Sequence, residues 1–162
     1  MKLLIISDTH TDSITKLPMT LRDAADKADG IIHAGDIVGY KVIHDLLKIN
    51  PNVYAVKGNM DPALGNEYLP RKRVLEMEGV RIGVAHGEGS HHGIENRLLY
   101  SFADDNVDII IYGHTHSPFW GVIDGIHFLN PGSHTNKRDE PRHSYAVLTI
   151  EDGKFDAEII KI

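Results

Sequence analysis

Five apolar runs in this chain each stop abruptly in polar residues. Leu3-Leu4-Ile5-Ile6 stops at Ser7-Asp8-Thr9-His10, Ile31-Ile32 at His33-Ala34-Gly35-Asp36, and Val53-Tyr54-Ala55-Val56 at Gly58-Asn59-Met60-Asp61. Val80 to Ala85 stops at His86-Gly87, and Ile109-Ile110-Ile111-Tyr112 stops at Gly113-His114-Thr115-His116. A short continuous apolar run is the pattern of a strand buried on both faces. In open α/β sheets the crevice beyond the carboxyl ends of such strands is where ligands sit. Five strands that deliver Asp, Asn and His to one edge make a site.

The segments between these runs set the connectivity. Ile14, Leu17, Leu21, Ala24, Ala25 and Ala28 recur at helical spacing, with Pro18 suited to the first turn and Gly30 closing the helix. Val42, Ile43, Leu46, Leu47 and Ile49 mark the inner face of a second helix that stops at Asn50-Pro51. The order β-α-β-α-β implies parallel strands with right-handed crossovers. From Arg71 the pattern changes: Arg73 to Met77 and Val80 to Ala85 flank Glu78-Gly79 as a hairpin. A third helix is expected over Ile94 to Asp105, with Ile94, Leu98, Leu99 and Phe102 inward. Two further hairpins turn at Asp124-Gly125 and Asp152-Gly153, so the second half reads as a mostly antiparallel sheet. The expected fold is α/β with two sheets packed face to face and helices outside; residues 61–70 and 132–142 read as rim loops.

A length of 162 residues fits one domain spanning residues 1–162, and 41% hydrophobic with 25% charged residues argues against disorder. The net charge of −6 counts against a broad nucleic-acid surface, which needs clustered Lys and Arg, while leaving room for a phosphate site made positive by metal ions. Cysteine is absent, which excludes disulfides, a thiolate nucleophile and a cysteine zinc site. The first apolar run is too short for a secretory signal, and no run approaches the roughly 20 residues that span a bilayer. A cytoplasmic protein without a membrane partner is expected.

Asp8 and His10 are two apart, as are His114 and His116, so in extended backbone each pair faces one side and can chelate. With Asp36, Asn59 and His86 they give seven candidate ligands of mixed oxygen and nitrogen type. Such a set suits manganese, iron or zinc better than calcium or magnesium. Each short motif alone is weak evidence; their joint occurrence at strand ends is not.

Asp8-Thr9-His10, Gly35-Asp36, Gly58-Asn59-Met60-Asp61, His86-Gly87 and Gly113-His114-Thr115-His116 resemble, in order, the motifs of the calcineurin-like metallophosphoesterases. The short chain and Asn130-Pro131-Gly132-Ser133 look like the small bacterial and archaeal phosphodiesterase branch. The resemblance implies a four-layer αββα sandwich of two mixed sheets with a dinuclear site between them. One metal would be held by Asp8, His10, Asp36 and His116, and the other by Asp36, Asn59, His86 and His114, with Asp36 bridging. It further implies hydrolysis of a small phosphodiester substrate by attack of a metal-bridging hydroxide, with two divalent transition-metal ions as cofactor. Manganese leads, ahead of nickel, iron, cobalt or zinc.

The chain departs from the family at two places. Larger members carry a histidine after the motif asparagine, thought to protonate the leaving group, where this chain has Met60. Asp61 is a candidate substitute, set against the commoner role of a loop carboxylate in capping or hydrogen bonding. Many relatives also read His-Gly-His where this chain has His86-Gly87-Glu88. Glu88, His91 and His92 stay outside the ligand set. Asn59 and Arg138 are the candidates for touching substrate phosphate, Arg138 with a solvated rim as its alternative. His33 reads as a hydrogen-bonded core histidine, and His44, His127, His134 and His143 have no metal-binding spacing. The alternatives are a phosphomonoesterase, a non-catalytic scaffold such as the same fold provides in the retromer coat, and a mononuclear zinc hydrolase built on His114, His116 and one further histidine. A homo-oligomer is compatible with all of them.

Overall fold

Neighbouring apolar residues of the first run point to opposite faces, and both faces are buried. Leu3 and Ile5 enter one core and Leu4 and Ile6 another, which is what a strand sandwiched between a second sheet and a helix layer requires. The computed structural model describes residues 1–13, 17–61 and 69–162. Its elements run β1 (Lys2–Ile6), α1 (Met19–Lys27), β2 (Gly30–His33), α2 (Tyr40–Ile49), β3 (Val53–Ala55), β4 (Lys72–Met77), β5 (Val80–Ala85), α3 (Ile94–Ser101), β6 (Ile109–Ile111), β7 (Phe119–Ile123), β8 (Ile126–Asn130), β9 (Ser144–Glu151) and β10 (Lys154–Lys161).

Two mixed sheets result, in the orders β10-β9-β1-β2-β3 and β4-β5-β6-β8-β7. Leu3, Ile5 and Ile32 of the first meet Ile82, Ile109 and Leu129 of the second in a core between the sheets. α1 and α2 cover the first sheet through Leu21, Ala25, Val42 and Leu46, and α3 covers the second through Ile94 and Leu98. This is the expected αββα layering. Each side chain fully buried in it contributes about 1.5–3 kcal/mol.

The second half is less antiparallel than its hairpins suggest. β5, β6 and β8 run parallel, and only β4 and β7 at the edges are antiparallel to their neighbours. The β9–β10 hairpin does not extend this sheet. β9 returns to lie antiparallel to β1, pairing Lys2 with Thr149 through Ile5 with Ala146, so that Ala146, Leu148 and Ile150 complete the inter-sheet core. All three hairpins turn on two left-handed residues, Glu78-Gly79, Asp124-Gly125 and Asp152-Gly153, the type I′ geometry that matches strand twist.

Helix ends also differ from expectation. Pro18 precedes α1 as its cap, Gly30 opens β2, and Leu47 is exposed on the outer face of α2. α3 ends at Ser101 because Phe102 leaves the helical path (φ −105°) and packs with Leu98 in the core under the second sheet. Asn50 stops α2 and binds it to α1, its Nδ2 donating to Ala25 O and Ala28 O at 3.2 and 2.7 Å. Ile14 and residues 62–68 of the expected rim loop lie outside the described residues. No described helix is long and apolar enough to cross a membrane.

Candidate metal centre

β1, β2 and β3 are parallel, and so are β5 and β6, so all five polar stops fall just past carboxyl ends. The ligand pairs are not extended there. Asp8, His10, Asp36, His114 and His116 all have left-handed backbone, with φ of 52°, 43°, 54°, 69° and 61°. The extended reading of Asp8-Thr9-His10 and His114-Thr115-His116 is therefore replaced by tight turns that swing alternate side chains to one point. Each left-handed non-glycine residue costs about 1–2 kcal/mol, so the turns need external support.

That support comes from neighbouring strands and from the segment after β8. Asp8 N and His10 N donate to Gly35 O and Asp36 O at 3.0 and 3.1 Å. Ser133 Oγ donates to Asp8 O at 2.7 Å and Thr135 Oγ1 to Thr9 O at 2.6 Å. Asn130 Nδ2 donates to Gly113 O and Thr115 Oγ1, each at 3.0 Å. Residues 130–134 are buried, so the start of the expected 132–142 rim loop is a clamp under the ligand turns. Glycine is obligatory where backbones cross: a Cβ on Gly58 would overlap Asp36 Oδ1 and N, and one on Gly113 would overlap Ser7 Oγ.

Five of the seven candidate ligands converge as two overlapping clusters, with His114 and, against it, Asn59 beside the second. Donor atoms of Asp8, His10 and His116 lie within 4.8 Å of one another, as do those of Asp8, Asp36 and His86. In the first cluster His116 Nε2 is 3.1 Å from Asp8 Oδ1 and 3.2 Å from His10 Nε2. Asp8 is common to both groups, and Asp36 Oδ2 of the second lies 3.3 Å from His86 Nε2 and 3.7 Å from His10 Nε2 of the first. Asp8 Oδ1 also reaches both, being 3.9 Å from His86 Nε2. His114 stands edge-on to His86 at 5.4 Å, with its Nδ1 3.0 Å from Asn59 Oδ1.

The arrangement of lone pairs fits a cation. His86 Nδ1 donates to Ala34 O at 2.7 Å and His116 Nδ1 to Asn136 O, which fixes each Nε2 of the neutral ring as an acceptor. His114 Nε2 faces Gly89 O at 2.8 Å; with the proton there, its Nδ1 and Asn59 Oδ1 turn lone pairs on one point. Asp8 Oδ1 and His86 Nε2 are buried and accept no hydrogen bond within the described residues. Burial would push both Asp8 and Asp36 up, but nearby histidines outweigh it and hold both carboxyls below their usual range. Burial would likewise push His86 down, yet Asp36 and Asp8 hold it above the ordinary histidine value. Acceptors this crowded need positive charge between them, supplied by protons or by metal.

Asp61 belongs to the framework. Its Oδ1 accepts Ile37 N and Val38 N, and its Oδ2 accepts Gly58 N, all at 2.7 Å. The carboxylate ties the loop after Asp36 to the loop before Asn59, and its oxygens face backbone. Of the two roles open to Asp61, this is the hydrogen-bonding one. Glu88 points to solvent with Arg71, while His91 stacks edge-on to His114 at 5.3 Å and accepts from Arg138 Nη1 at 3.1 Å. Arg138 is thereby at the rim of the centre. His33 is buried and contacts Thr9 Oγ1 at 2.7 Å; His134 approaches the same hydroxyl at 3.3 Å. Burial drives both rings down to about 3, so they are neutral struts beneath Thr9.

A family model described as the calcineurin-like phosphoesterase superfamily domain matches residues 1–153. The chain belongs to this superfamily. A probable metallophosphoesterase of Methanothermobacter thermautotrophicus is 40% identical over 97% of this chain and 90% of its own length. A phosphodiesterase of Methanocaldococcus jannaschii is 28% identical over 82% of this chain and 83% of its own. Among solved structures, wild-type Vps29 of Entamoeba histolytica complexed with Zn2+ superposes with a TM-score of 0.77 at 26% identity, covering 99% of both chains. As a member of this superfamily, the chain has its candidate metal-ligand groups where the parallel strands of both sheets end.

Proposed function

We propose that this chain is a cytoplasmic, single-domain phosphodiesterase that hydrolyses a small phosphodiester at a dinuclear centre of divalent transition-metal ions, manganese first. One ion would be held by Asp8, His10, Asp36 and His116, and the other by Asp36, Asn59, His86 and His114. The observation that carries this reading is the gathering of Asp8, Asp36 and His86, with Asp8 Oδ1 and His86 Nε2 buried and without a hydrogen-bond partner among the described residues. Two divalent cations, when bound, supply Lewis acidity toward the phosphoryl oxygens and lower the pKa of water near them.

The chain's own residues then have distinct tasks. Ala34 O and Asn136 O orient the rings of His86 and His116. Asn59 and Arg138 lie at the open side, where phosphate oxygens would be met. Met60 offers no proton and Asp61 is engaged by backbone, so the leaving group departs with help from water. Esters of acidic alcohols are the favoured substrates. The phosphodiesterase name of the Methanocaldococcus relative supports the preference for diesters.

The test is hydrolysis of a chromogenic diester and its monoester after chelation and return of manganese, nickel, zinc or magnesium. Metal-restored diester cleavage supports the reading. Full metal loading with neither ester cleaved would favour a binding role, a reading that the Vps29 likeness keeps in view.

A further inference from the structure

Beside Asn59 and His86 the protein opens into a cleft of about 470 Å³, walled by the turn after β3, the start of β4 and one side of α3. That is the size of a small-molecule site. Its charge is opposite to that of the chain. Among the described residues, Lys57, Arg71, Lys72 and Arg97 line it with one carboxylate, Glu88, although the whole protein carries −6. Lys72 is committed to the fold: it pairs with Asp105 and lies 4.5 Å over the Phe102 ring. Arg97 is held differently, donating to the carbonyl oxygens of Glu88, Ser90 and His92. Neutral carbonyls fix the guanidinium and leave its charge in place. Arg71 meets Glu88 at 3.4 Å with both side chains more than three-quarters exposed, at 78% and 77%. An exposed pair of this kind holds weakly and yields to a competing anion. Between these cations the cleft is floored by Ala85, Ile94 and Leu98, which bring no polar competitor.

A simple phosphodiester has one negative charge, and the metal centre would take it. The cations of the cleft would then face a neutral organic group, an arrangement with nothing to gain from its charge. We propose that the cleft binds the organic portion of the substrate and that this portion carries a second anionic group, a phosphate, beside the one cleaved. The substrate class is a doubly phosphorylated ester whose ring rests on the apolar floor while its second phosphate displaces Glu88 from Arg71. A concave site with an excess of positive charge focuses its field and selects for such a ligand. The inference rests on the phosphoesterase reading for which phosphate is cleaved, but the preference for a second phosphate is measurable without turnover.

The experiment is calorimetric titration of the manganese-loaded chain with thymidine 3′,5′-bisphosphate and with thymidine 5′-monophosphate, in the wild type, Arg71→Glu and Arg71→Lys. The wild type should bind the bisphosphate about tenfold more tightly, the worth of one charge-assisted contact. Arg71→Glu should erase that ratio and Arg71→Lys should keep most of it, with metal content and melting temperature unchanged in both. Equal wild-type affinities, or a preference that survives Arg71→Glu, would overturn the proposal. A preference without hydrolysis of any ester would leave the cleft standing and remove the phosphoesterase reading. Hydrolysis of a simple diester without the preference would do the reverse.

Discussion

Removing the Asp61 carboxylate separates two accounts of this protein, because the same residue holds the framework together in one and donates a proton in the other. Its oxygens accept Ile37 N, Val38 N and Gly58 N at 2.7 Å, the first and third in buried surroundings. A buried N–H left without an acceptor costs about 1–3 kcal/mol. Val38 adds to the burden, since a β-branched residue at φ 72° is strained and one of these bonds holds it there. Asp61→Ala should therefore destabilise the metal-free protein by about 3–6 kcal/mol, a large share of a typical domain's stability. Asp61→Asn keeps one carbonyl oxygen but turns an amide N–H₂ toward a backbone N–H, and should fall between. Urea denaturation in chelator reads both. Metal affinity should drop with stability, because the loops tied by Asp61 carry Asp36 and Asn59. Turnover per loaded site should be similar for good and poor leaving groups relative to wild type. Wild-type stability in Asp61→Asn, with a selective loss on poor leaving groups, would refute the framework account and make Asp61 the acid.

Four further outcomes follow. Gly58→Ala drives a Cβ into Asp36 Oδ1 and backbone N, which cannot give way, so the folded variant should hold less metal by atomic absorption than Gly125→Ala, whose Cβ meets nothing within 4 Å. His33 and His134 are pressed to about 3 by burial. The unfolded chain therefore takes up their protons first as pH falls, and each should remove about 1.4 kcal/mol of stability per pH unit below about 6.5. Stability should be insensitive to these two rings above that pH. In chelated protein His86, whose pKa is raised, contributes with the opposite sign, stabilising at low pH and losing that contribution as pH rises. His33→Asn should accordingly flatten the acid slope of urea-measured stability by about one proton, and an unchanged slope would show that the ring is protonated in place. Adding manganese to chelated protein should raise the melting temperature in a concentration-dependent way, by mass action on the folded state alone; no shift at saturating metal would mean the clusters bind none. Rates on aryl phosphodiesters should climb as the leaving phenol becomes more acidic, since no side chain stands ready to protonate it; a flat dependence would require a general acid.

The gathering of the candidate ligands was legible because Asp8, Asp36, His86, His114 and His116 each announce a strand stop. Their local geometry was not. Alternation along Asp8-Thr9-His10 suggests a pleat, while the turn is left-handed at both ligands, and the forces that hold it come from Ser133 and Thr135, distant in sequence. The layering was equally visible in the doubly buried runs, whereas the return of β9 to β1 depends on which sheet needs Ala146 and Leu148. No local pattern encodes that. Asn130-Pro131-Gly132-Ser133 looks like an ordinary loop signal, and only its burial reveals the clamp. Asp61 shows the same limit in reverse: its type fits both an acid and a cap, and three backbone N–H groups decide.

The most direct test of the account is the number of manganese ions bound per chain by wild-type protein and by Asp36→Ala, counted after chelation, metal return and desalting. The shared position of Asp36 Oδ2 between His10 and His86 predicts about two ions in the wild type and a loss from both sites in the variant, with diester hydrolysis abolished. One ion in the wild type, or two retained in Asp36→Ala with activity intact, would contradict the shared-carboxylate centre on which the whole reading stands.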